Sequence, residues 1–371
     1  MMTDSVARRP RIAMVSANAF PVMGGVETHI YEVAPRIAAA GFDVTLLTTD
    51  RSKSLPARES VNGVPIFRVP AYPEARDYYF APRLARLVAH GHWDLVHCQG
   101  YHTFVPPLAM LSAEQAGMPY MLTFHIGGHP STTRNRLRGA QRQALRPLLA
   151  HARKLVAVSN FEADFFSREL HIPMERFVTI RNGAAMAAPA EPVVVDDANP
   201  LILSVGRLER YKGHHLLIDA LPFVLRELPG ARLEIVGAGQ FEPELRARAA
   251  ASGLNGKIKI GSIDPVDRDG MSRTVAGASA VALLSEYEAN PVSVMEALAL
   301  GRRVLVADTS GLSDLAREGL ARAIPIDASP EQIARALVDL IRSPEPANLS
   351  LPTWDESAAR LADVYREVLG V

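Results

Sequence analysis

The chain has 371 residues, 48% of them apolar and 22% charged, and its 40 basic and 40 acidic side chains cancel. That length exceeds what one hydrophobic core usually supports, so about two domains are expected, and the composition excludes a disordered chain. Neutrality and few aromatics argue against nucleic acid as a partner, while a single cysteine, Cys98, excludes an intrachain disulfide and a cysteine-rich zinc site and fits a reducing cytoplasm.

In chain order, short β-branched runs alternate with longer helical patterns, as βαβ units of a parallel sheet covered on both faces should. The first series predicts strands at 12–16, 44–48, 66–69, 95–97, 121–124, 155–158 and 178–180, with helices near 26–40, 81–90, 104–116, 134–150 and 160–169. Residues 184–199, "AAMAAPAEPVVVDDAN", are small, Pro-containing and aperiodic, as a linker is. A second series then predicts strands at 201–205, 232–236, 257–260, 281–284 and 303–306, with helices near 213–227, 241–252, 267–276, 292–300 and 329–342. The expected architecture is α/β, two doubly wound Rossmann-like domains facing across a cleft. They span 1–185 and 200–353, with a linker at 186–199 and a last amphipathic helix, 354–371, that crosses back to the first domain.

Charge divides along the same line. Residues 1–190 hold 21 Lys+Arg against 14 Asp+Glu, a net +7 that the remainder balances. No acid occurs between Glu114 and Glu162, whereas Arg134, Arg136, Arg138, Arg142, Arg146, Arg153 and Lys154 do. Two readings fit this stretch: a basic face for anionic lipid, or a solvated arginine-rich helix whose buried side is Leu137, Ala140, Ala144, Leu145 and Leu148. No run reaches the roughly 18 apolar residues of a membrane span, and 12–15 is too short for a signal-peptide core. A membrane would be met from its surface.

Ligands of such sheets bind beyond the carboxyl ends of strands, so the strand-to-helix loops are where chemistry is expected. After the first strand, Gly24-Gly25 lets backbone N–H groups and a helix N-terminus approach an anion, although a tight turn alone would also use them. At 125–129, His125 stands at a strand end, able to donate to a sugar hydroxyl or phosphate oxygen. Gly127-Gly128 makes a poor helix, so His125 and His129 are not expected to bind zinc. In "SVGRLERYKG", Gly206, Arg207 and Lys212 offer a guanidinium fork and a movable ammonium with little steric cover, which suits a diphosphate; solvated surface charge is the plain alternative. "IVGAGQFEPEL" has Gly237 and Gly239, but Glu242 stands where a dinucleotide loop needs its third glycine, so an oxidoreductase is not supported. Finally, in "EYEANPVSVMEALALG", Pro291 suits a first helical turn with Asn290 as N-cap. The N–H groups of Val292 and Ser293 would then face the loop carrying Glu288, with Glu296 on the helix. Two acids and several donors match a polyhydroxylated ligand.

In order and spacing, "GGVETHI", His125, "TIRNG", "GRLERYKG" and "EANPVSVMEALALG" resemble glycosyltransferase family 4, the retaining, nucleotide-sugar-dependent enzymes of the GT-B fold. The resemblance spans nearly the whole chain, and its most specific part is the Glu288/Glu296 pair eight positions apart. It implies that Arg207 and Lys212 bind the donor diphosphate, Glu288 the donor sugar hydroxyls and Glu296 the ribose. It further implies that Gly24-Gly25 nears the diphosphate from the other domain and that His125 lies by the reacting centre. No metal and no cofactor beyond the donor, a UDP- or GDP-sugar, are implied. The acceptor would be a glycan or lipid-linked hydroxyl of cell-envelope or polysaccharide synthesis, and the enzyme cytoplasmic or peripheral on the inner membrane face. Many members carry Gly-Phe-Gly where this chain has Ala289-Asn290-Pro291, which removes the N–H at Pro291 and leaves the sugar's identity open. A non-transferring sugar-nucleotide binder, or a GT-B-like epimerase, is the alternative.

Overall fold

A computed structural model of the chain describes residues 8–22, 24–74, 78–125, 132–254, 256–264, 266–346 and 349–371, and for 132–137 the backbone alone. Gly127, Gly128 and His129, and the side chains of Arg134, Arg136 and Leu137, lie outside the described residues.

The first sheet contains β1 (Arg11–Ser16), β2 (Asp43–Asp50), β3 (Arg58–Val61), β4 (Val64–Pro70), β5 (Leu95–Gln99), β6 (Tyr120–Thr123), β7 (Leu155–Ala157) and β8 (Phe177–Thr179). Among the described residues its order is β3-β4-β2-β1-β5-β6-β7-β8. Helices α1 (Gly25–Ala39), α2 (Pro82–His90), α3 (Val105–Gln115), α4 (Thr132–His151) and α5 (Asn160–Leu170) connect them. Because helices cover both faces, central strands are apolar throughout: Ile12, Ala13, Met14 and Val15 of β1 are fully buried. Only β3 runs antiparallel to its neighbour, Val61 facing Val64 across Asn62-Gly63, both at positive φ. That turn suits a tight hairpin, but "RESV" has no apolar alternation to predict a strand.

The second sheet has β9 (Leu201–Val205), β10 (Arg232–Val236), β11 (Ile258–Gly261), β12 (Ala280–Leu283), β13 (Val304–Ala307) and β14 (Arg322–Ile324). They are ordered β11-β10-β9-β12-β13-β14, and every pairing is parallel. Its helices are α6 (His214–Glu227), α7 (Glu242–Ala251), α8 (Arg268–Ala276), α9 (Val292–Ala299), α10 (Ser310–Arg317) and α11 (Pro330–Arg342). Each sheet therefore reverses its winding beside its first strand, between β1 and β5 and between β9 and β12. Those are the switch points where loops diverge and a ligand can enter.

The last helix, α12 (Trp354–Leu369), belongs to the first sheet's core: Trp354, Leu361 and Tyr365 pack with Ile12, Met14 and Val33. Thr353 and Glu356 form a capping box at its start. Outgoing and returning chain cross tightly at Gly183, where a Cβ would lie 2.3 Å from Trp354 N. In α4 it is Leu149 that is buried, with Leu145 and Leu148 against the core, while Ala140 and Ala144 are exposed, contrary to the expected buried side.

Candidate functional site

The site is built on the two loops that meet at the β9/β12 switch point. After β9 the chain passes Gly206 and Arg207, makes a one-turn 3-10 helix at Arg210–Lys212 and enters α6 through Gly213. Gly213 has φ 75°, and a Cβ there would sit 2.1 Å from Leu284 O, so only glycine lets the two loops touch. This close approach delivers the Lys212 ammonium to the Glu288 carboxylate, with side-chain exposures of 13% and 8%. Glu288 also accepts from Ser285 Oγ at 2.8 Å, and its backbone N–H donates to Ser310 Oγ at 2.8 Å. Gly311 N donates to Glu288 O at 2.8 Å, so the start of α10 braces the acid's loop. Burial pulls the Lys212 pKa down, but Glu288 and Tyr211 outweigh it and the net shift is upward: the ammonium stays charged.

Arg207 is held differently. Its Nη2 donates to Tyr211 Oη at 2.7 Å and its Nη1 lies 2.9 Å from Glu209 Oε1, leaving the side chain 61% exposed to the cleft. Buried His214 spans Ser204 Oγ at 2.9 Å and the Arg207 carbonyl at 3.2 Å, fixing the loop, and burial lowers its pKa to about 4. Gly206 gives little steric cover, but its N–H is spent on Val236 O at 3.0 Å and is not a donor for a ligand. Gly237 and Gly239 serve packing: a Cβ would lie 1.9 Å from Gly206 O and 2.3 Å from Leu208 O respectively.

Beyond Glu288 the expected cap is corrected. Pro291, with ψ 119°, is the N-cap of α9, and Asn290 makes no side-chain cap. The Asn290 carbonyl instead accepts from Asn182 Nδ2 at 3.0 Å, which draws that residue toward the first domain. Val292 and Ser293 occupy the first turn, where helical N–H groups lack an internal acceptor, and Ser293 Oγ donates to Val205 O at 3.2 Å. Glu296 is buried and lies 2.5 Å from Arg268 Nη2 on α8.

The first domain contributes α1 and the ends of β5 and β6. Gly24 is the N-cap of α1; a Cβ at Gly25 would meet nothing within 4 Å, whereas one at Gly24 would lie 2.7 Å from the Glu27 carboxylate, which covers this helix start. Glu27, which no spacing in the sequence singled out, faces Arg207 across the cleft; burial raises its pKa, with its own N–H, Arg207 and Asn18 opposing. His125 Nε2 meets Gln99 Oε1 at 2.8 Å, and its ring packs edge-on to His29 at 4.9 Å. Burial keeps this imidazole well below its ordinary pKa, so it acts as a neutral hydrogen-bonding group. His29 Nδ1 in turn meets Asn182 Oδ1 at 2.9 Å, completing a polar chain from the His125 side to the loop of Glu288. Among the described residues no group of three His, Cys, Asp or Glu is placed to hold a metal ion.

Two family profiles cover this architecture: residues 23–186 match Glycosyltransferase Family 4 and residues 190–350 match Glycosyl transferases group 1. The chain belongs to glycosyltransferase family 4. This family 4 glycosyltransferase is similar to the phosphatidyl-myo-inositol mannosyltransferase of Mycolicibacterium smegmatis, at 27% identity over 97% of this chain and 94% of the relative. Its fold matches sucrose-phosphate synthase from Thermosynechococcus elongatus, with a TM-score of 0.78 at 18% identity over 98% and 100% of the two chains. HepE of Anabaena, solved in complex with UDP and glucose, matches with a TM-score of 0.69 at 18% identity over 98% and 97%. The two facing α/β domains of the glycosyltransferase are thus GT-B.

On the first domain of this glycosyltransferase, the acid-free stretch finds acids from elsewhere. Arg142 pairs with Glu169 at 2.8 Å and Lys154 with Glu367 at 3.0 Å, while Arg146 Nε donates to Leu170 O at 2.7 Å. Arg138 is half-buried and interacts electrostatically with Tyr101, Tyr78 and Tyr211. No helix among the described residues is long and apolar enough to cross a membrane.

Proposed function

We propose that this glycosyltransferase moves a sugar, with retention of anomeric configuration, from a UDP- or GDP-sugar to a hydroxyl of a glycan or lipid-linked acceptor. The observation that carries the reading is the buried Lys212–Glu288 pair at the switch point, with Arg207 beside it. Its cations bind the donor diphosphate; when the bond from C1 to the phosphate oxygen breaks, they stabilise the charge that develops, a task a metal would otherwise fill. The N-terminus of α1 at Gly24-Gly25 adds backbone donors from the facing domain once a diphosphate takes the place of the Glu27 carboxylate there. Glu288 accepts from donor sugar hydroxyls and Glu296 from the ribose. The acceptor oxygen bonds to C1 on the face the phosphate leaves, and its proton passes to the departing phosphate oxygen. His125, neutral and with its Nε2–H donated to Gln99 Oε1, presents Nδ1 as a hydrogen-bond acceptor beside the reacting centre.

The mannosyltransferase name of the M. smegmatis relative supports a lipid-linked acceptor, and the UDP complex of HepE supports a uridine donor. The enzyme works from the cytoplasmic side, where Arg146 and Arg153, exposed on the basic stretch 134–154, meet anionic lipid. A thermal-shift panel of UDP-, GDP- and ADP-sugars tests the donor. At a hundred times its Kd, the right nucleotide stabilises by about 2.7 kcal/mol, which raises Tm by several degrees. Adding acceptor should then release free nucleoside diphosphate. A panel without any shift would refute the reading.

A further inference from the structure

We propose that Arg268 is a positioning residue for the nucleotide, holding the Glu296 carboxylate as an ionised, oriented acceptor for the ribose hydroxyls. The inference rests on the assignment of Glu296 to the ribose and deepens it.

Three observations on different elements point there. Glu296 is buried on α9, yet its Oε1 lies 2.5 Å from Arg268 Nη2 on α8. Among the described residues its Oε2 accepts no hydrogen bond, so one oxygen is clamped and the other is left for a ligand. Second, Arg268 opens α8, where the helix dipole disfavours a cation. Third, the acids on either side are occupied. Asp267 caps Gly270 N at 2.8 Å, while Asp269 pairs with Arg273 and accepts from Ala190 N at 2.9 Å. A locally unfavourable cation whose neighbours are spent elsewhere has Glu296 as its partner, and that placement is explained by the site.

The electrostatics give the role a measurable signature. Burial raises the Glu296 pKa; Arg268 opposes this through charge and hydrogen bond, and Glu32, on α1 across the cleft, adds to the rise. Glu32 is itself paired with Arg36 at 2.7 Å. With Oε1 held by Arg268, the ionised carboxylate accepts a ribose hydroxyl at Oε2, whereas a protonated carboxyl loses acceptor capacity. Nucleotide binding should therefore weaken as pH falls toward the Glu296 pKa. Without Arg268 that pKa rises further, and weakening begins at higher pH.

The test titrates UDP and GDP into the wild type, Arg268→Ala, Arg268→Lys and Glu296→Gln between pH 5.5 and 8, with donor KM and kcat measured in parallel. Arg268→Ala should weaken the preferred nucleotide by about tenfold at pH 7, with the loss growing toward acid pH, KM rising and kcat little changed. Arg268→Lys, which keeps the charge without the fork, should restore most of the pH profile. If Glu296→Gln weakens binding while Arg268→Ala stays within twofold of wild type at every pH, the positioning role is overturned alone. Should Glu296→Gln bind as the wild type does, the ribose assignment fails and the role of Arg268 falls with it.

Discussion

Replacing Lys212 by Ala should lower sugar transfer by about 10²–10³-fold, the loss typical when one preorganised donor to a developing negative charge is removed. The same substitution should cost about 3–5 kcal/mol of stability, because it leaves Glu288 charged and buried without its cation. The two effects separate in the double variant Lys212→Met/Glu288→Gln. Removing both charges leaves nothing uncompensated, so most stability should return, whereas transfer should stay at the level of the single variant. Measuring Tm and initial rates for both variants checks this. A single variant with normal transfer would show that Lys212 only braces the loop.

Stability should also fall steeply between pH 6.5 and pH 5. Burial lowers the pKa of His29 to about 4, of His97 to about 3, and of His102 and His214 to about 4. His97 sits fully buried between Tyr365 Oη at 2.6 Å and Thr123 Oγ1 at 2.7 Å, joining α12 to the first sheet. Each ring is neutral in the folded chain, while the unfolded chain protonates below about 6.5. The unfolded state thus binds more protons across this window, and stability drops as pH falls until the folded pKa values near 4 to 3 are reached. At pH 5 each histidine costs about 2 kcal/mol, and four together rival the net stability of a domain. Thermal melts at half-unit steps would show it; a Tm independent of pH from 7 to 5 would contradict the buried neutral set.

Much of this was legible from residues in order. Parallel strands buried on both faces are written as apolar runs, so β1, β2, β5 and β9 to β13 stand out. The meeting of Lys212 with Glu288, 76 positions on, follows from both loops leaving adjacent strands at one switch point. What sequence hid were elements held by partners rather than by their own pattern. Strand β3 exists because β4 and the Asn62-Gly63 turn supply its pairing, and the three residues of β14 are held as a strand by pairing with β13 along their whole length. The cap on α9 was misplaced by one residue because Asn182, far away in the chain, holds the Asn290 carbonyl. Glu27 and Arg268 left no trace in spacing, since each meets its partner only through the packing of separate elements.

The substitution Ala289-Asn290-Pro291, which departs from the family's usual glycines, also gains a physical setting. The loop is braced by Gly311, where a Cβ would lie 1.6 Å from Ala289 O, and tied to the first domain through Asn182. The segment that departs from the family pattern is therefore also a contact with the first domain.

The most direct test of the donor pocket is calorimetric titration of UDP and GDP into the wild type and Arg207→Ala. Arg207 is largely exposed to the cleft and its loop is fixed independently by His214, so its removal should leave the fold intact. One nucleotide should bind the wild type, and Arg207→Ala should weaken it by about tenfold or more, the loss of one charge-assisted hydrogen bond of about 1.5–3 kcal/mol. Equal affinity of the two proteins for that nucleotide would contradict this.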